Sequence, residues 1–114
     1  MGNPYKDLSD SMELIYDGIS IANKGLLRNP DTIQRRKLNR RIARLEAELA
    51  EIGAKMTAIE DGETGIRGPT NAQVKLIAKL TGEVENMTRA NITASKALAL
   101  TSKIMDVAMK VADV

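Results

Sequence analysis

The chain is predicted to be all-α: an antiparallel up-down-up bundle of three helices with coiled-coil-like heptad packing and a long C-terminal helix. Three observations predict it. Apolar residues recur at alternating steps of three and four along most of the chain, the signature of a helical stripe. Turn-forming residues cluster at two places, around Gly25 to Pro30 and from Gly62 to Pro69. The core must be built from Leu, Ile, Val, Met and Ala, because Tyr5 and Tyr16 are the only aromatics. At 114 residues the chain is one domain by size.

The first helix is predicted over 4–27. Tyr5, Leu8, Met12, Ile15, Ile19, Ala22 and Leu26 fall on one stripe. Gly25 and the Arg28-Asn29-Pro30 turn end it, since Pro30 disfavours helical geometry at Asn29. The second helix is predicted over 30–60, with Asn29 as N-cap, Pro30 in the first helical position and Asp31 answering the positive helix end. Its main stripe is Leu38, Ile42, Leu45, Leu49, Ile52, Met56 and Ile59. Ala43, Ala47, Ala50, Ala54 and Ala58 repeat with a similar spacing. Set beside the larger residues, they predict a broad apolar face that needs two neighbouring helices to cover it.

A glycine-rich loop is predicted over 61–69. Thr70 and Gln73 then have the spacing of a capping box, which opens a third helix over 70–113. Ile77, Leu80, Val84, Met87, Ala94, Leu98, Met105 and Ala112 keep the beat, while Asn91 and Thr101 interrupt it. Gly82 weakens the helix by about 1 kcal/mol relative to Ala. Beyond residue 97 the apolar residues point in nearly all directions, and a helix apolar all round is a buried helix. A helix of about 40 residues is about 60 Å long. It outreaches both others, so its apolar end is expected to overhang. That end, Leu98, Leu100, Ile104, Met105, Val107, Met109 and Val111, is the expected self-association surface of a homo-oligomer.

Several chemistries lack their residues. Without His there is no side chain that titrates near neutrality unperturbed, and without His or Cys the usual zinc and copper ligands are missing. Glu46, Glu48 and Glu51 stand near Arg44 and Lys55 at spacings that read as surface ion pairs. Gly62, Gly65 and Gly68 around Arg67 match neither a P-loop nor a dinucleotide fingerprint, and too few acids follow Asp61 for a calcium loop. Neither enzymatic activity nor a cofactor or metal is expected. No apolar run approaches the roughly 18 residues of a membrane span. The N-terminal stretch lacks a signal-peptide layout, and Lys6 stands where a myristoylation signal needs Ser or Thr. The expected location is cytoplasmic, or outside the cell by a secretion route that needs no signal peptide.

The densest feature is a run of cations. Between residues 28 and 44 there are seven Lys or Arg against one acid, Asp31, in a chain whose net charge is only +2. With Leu38 and Ile42 facing the core, Arg36, Lys37, Arg40 and Arg44 face solvent and Arg41 flanks the core stripe. Such a face could neutralise several phosphates with a salt-dependent, sequence-blind affinity. The likeness to a leucine-zipper basic region is superficial, because a basic region forks away from its partner whereas here the apolar beat runs through the cations. Base-stacking aromatics are absent as well. These cations read first as decoration on the solvent side of a packed helix. Among ligands, an acidic protein partner, another subunit's acidic segment 46–60 included, suits the face better than nucleic acid. The expected function is a non-enzymatic helical interaction or structural subunit that self-associates, of filament or scaffold type. The alternatives are a small nucleic-acid-associated protein using Arg36, Lys37, Arg40, Arg41 and Arg44, and a small inhibitor or adaptor that binds an acidic protein.

Overall fold

The computed structural model describes residues 3–89 and 91–113. It is an up-down-up-down bundle of four helices, α1 (Pro4–Leu26), α2 (Thr32–Glu60), α3 (Asn71–Arg89) and α4 (Ala94–Ala112). The all-α expectation holds, with no strand among the described residues. Among them, too, no helix is long and apolar enough to cross a membrane.

The expected count of three helices is corrected to four, because the long third helix breaks around residues 91–93. Thr93 is the N-cap of α4: its backbone is extended and its Oγ1 accepts from the Lys96 amide at 3.1 Å. Ile92 is buried in the turn and anchors it. The physical reason is the composition of the tail. A 19-residue helix with apolar side chains on most sides would overhang in water if it ran straight on; turned back, it lies against α1, α2 and α3. Leu100, Ile104, Val107 and Val111 accordingly lie in the chain's own core. Leu98, Met105 and Met109 are half-buried around them. The motive for self-association through this segment therefore goes, since the fold itself covers most of it.

The other boundaries shift for local reasons. α2 begins at Thr32 rather than Pro30. Asn29 takes a left-handed backbone (φ 49°), a conformation Asn tolerates better than most residues, and Pro30 is buried in the turn. Asp31 is the N-cap in place of Asn29. Its carboxylate accepts from the Gln34 amide at 2.7 Å while the Asp31 amide donates to Gln34 Oε1 at 3.0 Å, a complete capping box. The box expected at the start of α3 is present, with Gln73 N to Thr70 Oγ1 at 3.2 Å and Thr70 N to Gln73 Oε1 at 2.9 Å.

α1 and α4 form the centre of the bundle. They touch each other and both remaining helices, whereas the described residues of α2 and α3 make no contact. Glycine sets the central spacing. A Cβ at Gly25 would lie 2.7 Å from the Ala97 Cβ, and one at Gly18 would lie 3.2 Å from Ile104 Cγ2. The α1 and α4 backbones approach at these points because nothing larger than hydrogen stands between them. Gly25→Ala should therefore destabilise the fold by about 1–3 kcal/mol through overpacking. At Gly82 an added methyl would meet nothing within 4 Å. Gly82→Ala should behave oppositely, stabilising by about 0.5–1 kcal/mol. Urea unfolding of the two variants checks both signs.

Candidate functional site

α2 is 29 residues long, about 43 Å at 1.5 Å per residue, and spans most of the 47 Å length of the molecule. Leu38, Leu45 and Ile52 are fully buried, and Ile42, Leu49, Met56 and Ile59 pack beside them. This stripe fixes the helix rotation and with it the direction of every charged side chain. Arg35, Arg36, Lys37, Arg40 and Arg44 are exposed, as expected for four of the five site residues. The alanines behave differently from expectation. Ala43, Ala47, Ala50 and Ala54 are exposed and Ala58 is half-buried, because α2 has neighbours only in α1 and α4 and the alanines lie on its far side.

Arg41 is the exception among the cations. It turns inward, its Nη1 donating to the Leu98 carbonyl at 3.0 Å and to Thr101 Oγ1 at 3.3 Å. Thr101, an interruption of the apolar beat in sequence, is completely buried and donates in turn to the Ala97 carbonyl at 2.6 Å. Burial holds the Arg41 pKa below its ordinary value. Arg41 thus ties α2 to α4 and its hydrogen bonds are spent inside the protein.

The same seam continues at seven-residue intervals with Glu48 and Lys55. Glu48 is 3% exposed; its Oε1 takes the Arg44 Nε at 2.9 Å, and Oε2 has no hydrogen-bond partner among the described residues. Burial pushes the Glu48 carboxyl up, Arg44 pulls it down, and Glu51 and Asp113 add to the rise. Lys55 donates to the Val111 carbonyl at 2.8 Å, its pKa lowered by burial against the opposing pull of Asp113 and Glu51. Long-range polar contacts of this kind, 57 residues apart for Arg41 and Leu98, leave no local sequence signal.

Lys37, Arg40, Arg41 and Arg44 line an open groove of about 380 Å³ between α2 and α4, with Met105 among its walls. Met105 thus lies beside the cations and not on a separate apolar surface. Beyond the groove, Arg35 and Arg36 extend the positive face toward the start of α2, and among the described residues Arg35, Arg36, Lys37 and Arg40 form no ion pair. A second cleft, of about 430 Å³, lies between α1 and α3. Asp7, Asp10, Glu13 and Asp17 border it, with Val74, Ile77 and Ala78 opposite. The Asp17 carboxyl is raised by burial and then by Glu13 and Glu85. The sequence hid this cleft because its walls come from helices far apart along the chain. Among the described residues no three His, Cys, Asp or Glu side chains gather closely enough to hold a metal ion.

No family model, curated protein or solved structure matches the chain.

Two outcomes follow from the α2–α4 seam. Arg41→Met should lower stability by about 1–2 kcal/mol in urea unfolding, since it removes the charged hydrogen bonds that tie α2 to Leu98 and Thr101 on α4. The second concerns pH. A carboxyl raised by folding is bound to its proton more tightly in the folded state, so its contribution to stability falls as pH rises from the ordinary carboxylate value through the raised one. Glu48→Gln removes that loss, and its melting temperature should gain on the parent's as pH rises above the ordinary carboxylate value. A difference independent of pH would show that Glu48 is not the group responsible.

Proposed function

We propose that the chain is a non-enzymatic helical interaction subunit whose working surface is the cationic half of α2, and that its ligand is an acidic segment of protein. The observation that carries this reading is the set of exposed cations without acidic partners among the described residues. Arg36 and Arg40, and Arg40 and Arg44, are like charges one turn apart, an arrangement that costs an isolated helix about 0.2–0.5 kcal/mol per pair. Only Arg44 of these is neutralised, by Glu48. An acidic ligand removes the repulsion and adds attraction, so the face gains more from binding than an ordinary mixed-charge surface does.

An acidic helix suits the face better than a duplex. The cations from Arg36 to Arg44 span about 12 Å along the axis. Further along the same helix, Glu46, Glu51 and Glu60 are exposed and would meet the phosphates of any longer duplex with the wrong sign. Neither tyrosine lies on α2, so the face offers no ring for base stacking. The half-buried Met105 in the groove adds a pliable apolar contact for the aliphatic stems of glutamates.

The test is a titration of the full-length chain with a labelled polyglutamate peptide, followed by fluorescence anisotropy at several salt concentrations. Binding should weaken as salt rises, fall about tenfold or more in Arg36→Glu/Arg40→Glu, and stay within about twofold in Arg41→Met. Equal binding by the charge-reversed variant would defeat the reading. Binding of a DNA duplex but not of polyglutamate would transfer the face to nucleic acid.

A further inference from the structure

The outer face of α2 is uncovered along its whole length, since the helix touches α1 and α4 on its inner side and its described residues never meet those of α3. At about 100° per residue, that outer face is Arg36, Arg40, Ala43, Ala47, Ala50, Glu51, Ala54 and Asp61, all exposed, opposite the buried Leu38, Leu45 and Ile52. The charges on and beside it are sorted by sign about Ala47, with Glu46 on the far flank as the exception. Arg36 and Arg40 on the face, and Lys37 and Arg44 along one flank, come before Ala47; Glu51 and Asp61 come after it. Between them the face is alanine.

We propose that this face docks on the same face of a second copy of the chain, antiparallel and about a two-fold axis near Ala47. The acidic segment held by the cationic half of α2 is then the C-terminal half of the other copy's α2. The proposal rests on the cationic-face reading above and specifies its ligand.

Charge complementarity selects both the occupant and the direction. Reversing α2 about a point between Ala47 and Glu48 brings Arg44 opposite Glu51 of the second copy and Arg36 within about 3 Å of axial travel of its Asp61, each pairing occurring twice by symmetry. Arg40 comes level with Lys55, whose amine is drawn to the Val111 carbonyl on its own α4. Parallel pairing would instead set cation over cation and acid over acid. The Arg44 Nε is taken by Glu48 within its own chain, which leaves the Nη donors for the opposite copy. Ala43, Ala47, Ala50 and Ala54 let two helix axes come within about 8 Å. They lose no side-chain rotamer freedom on docking, so the contact carries little entropic cost beyond association itself. A two-fold interface uses the same patch on both partners and closes on itself, so assembly stops at the dimer.

Sedimentation velocity on the full chain at low salt tests this with two charge variants. Arg36→Glu/Arg40→Glu makes the face predominantly acidic, and Glu51→Lys/Asp61→Lys makes it wholly basic. The parent should form a dimer. Each variant alone should dimerise about tenfold or more weakly, and an equimolar mixture of the two should restore a one-to-one heterodimer. The substituted positions are exposed, and an unchanged helical circular dichroism spectrum verifies that each variant is folded. A second readout uses the absence of cysteine from the chain. Ala47→Cys, near the axis, should form an intermolecular disulfide readily, and far faster than Asn23→Cys on the exposed side of α1. A monomeric parent, an unrestored mixture, assemblies larger than a dimer, or equal rates for the two cysteines would each overturn the proposal. If polyglutamate still binds the parent in those cases, the cationic-face reading stands and the two-fold docking alone falls. If polyglutamate fails to bind as well, both fall.

Discussion

α4 is apolar on most of its sides, and a helix of that kind needs neighbours around it. The architecture follows from supplying them. α1 lies against it with glycine at Gly18 and Gly25, so the two backbones close up at Ile104 and Ala97. α2 and α3 are held as flanking walls, each touching both members of the central pair. The reversal at residues 91–93 is the step that makes this possible, because a continuous helix would have left Leu100, Ile104, Val107 and Val111 in water. The energetic drive is the burial of aliphatic side chains at about 25 cal/mol per Å² of area removed from water, with no large ring to contribute.

A polar seam runs through this aliphatic interior without disrupting it. Arg41, Glu48 and Lys55 recur every seven residues on the side of α2 that meets α4: Arg41 and Lys55 hydrogen-bond to groups on α4, and Glu48 forms an ion pair with Arg44. Two of them reach backbone carbonyls, Leu98 and Val111, acceptors that helix geometry leaves with spare lone pairs. Fixed contacts of this sort add to the rotation that the Leu38, Leu45 and Ile52 stripe already sets, and hold the axial position of α2 against α4.

The start of α3 was legible, whereas the equally local Asp31–Gln34 box of α2 was masked by Asn29 and Pro30, which suit an N-cap and a first helical position. Thr70 and Gln73 announce α3 because both halves of the box lie within four residues. Thr93 announces α4 less clearly, since Lys96 occupies the place where a Glu or Gln would have answered, and neither Gly nor Pro marks the turn. The alanines of α2 misled for another reason. Their three-four spacing resembles that of the core stripe, and periodicity cannot tell inside from outside when the residue is small enough for either. Of the candidate site, exposure of Arg36, Lys37, Arg40 and Arg44 followed from the position of Leu38 and Leu45. The inward turn of Arg41 did not, because its acceptors lie on another helix.

The lack of any contact between the described residues of α2 and α3 gives the two flanking helices unequal mechanical standing. α2 is fastened by Leu38, Leu45 and Ile52, by four half-buried apolar neighbours and by the Arg41 and Lys55 ties. Among its described residues α3 buries Ile77, Leu80 and Val84, packs Met87 beside them and has the partly exposed Glu83–Lys103 ion pair as its polar tie. A helix held by so few side chains can detach and reseat while the other three stay assembled, a sub-global opening whose free energy lies below that of complete unfolding. Amide protons of α3 then exchange with solvent ahead of those in α1, α2 and α4. Each such excursion bares the far flank of the central pair for a moment, while the cationic surface on the opposite corner keeps its shape.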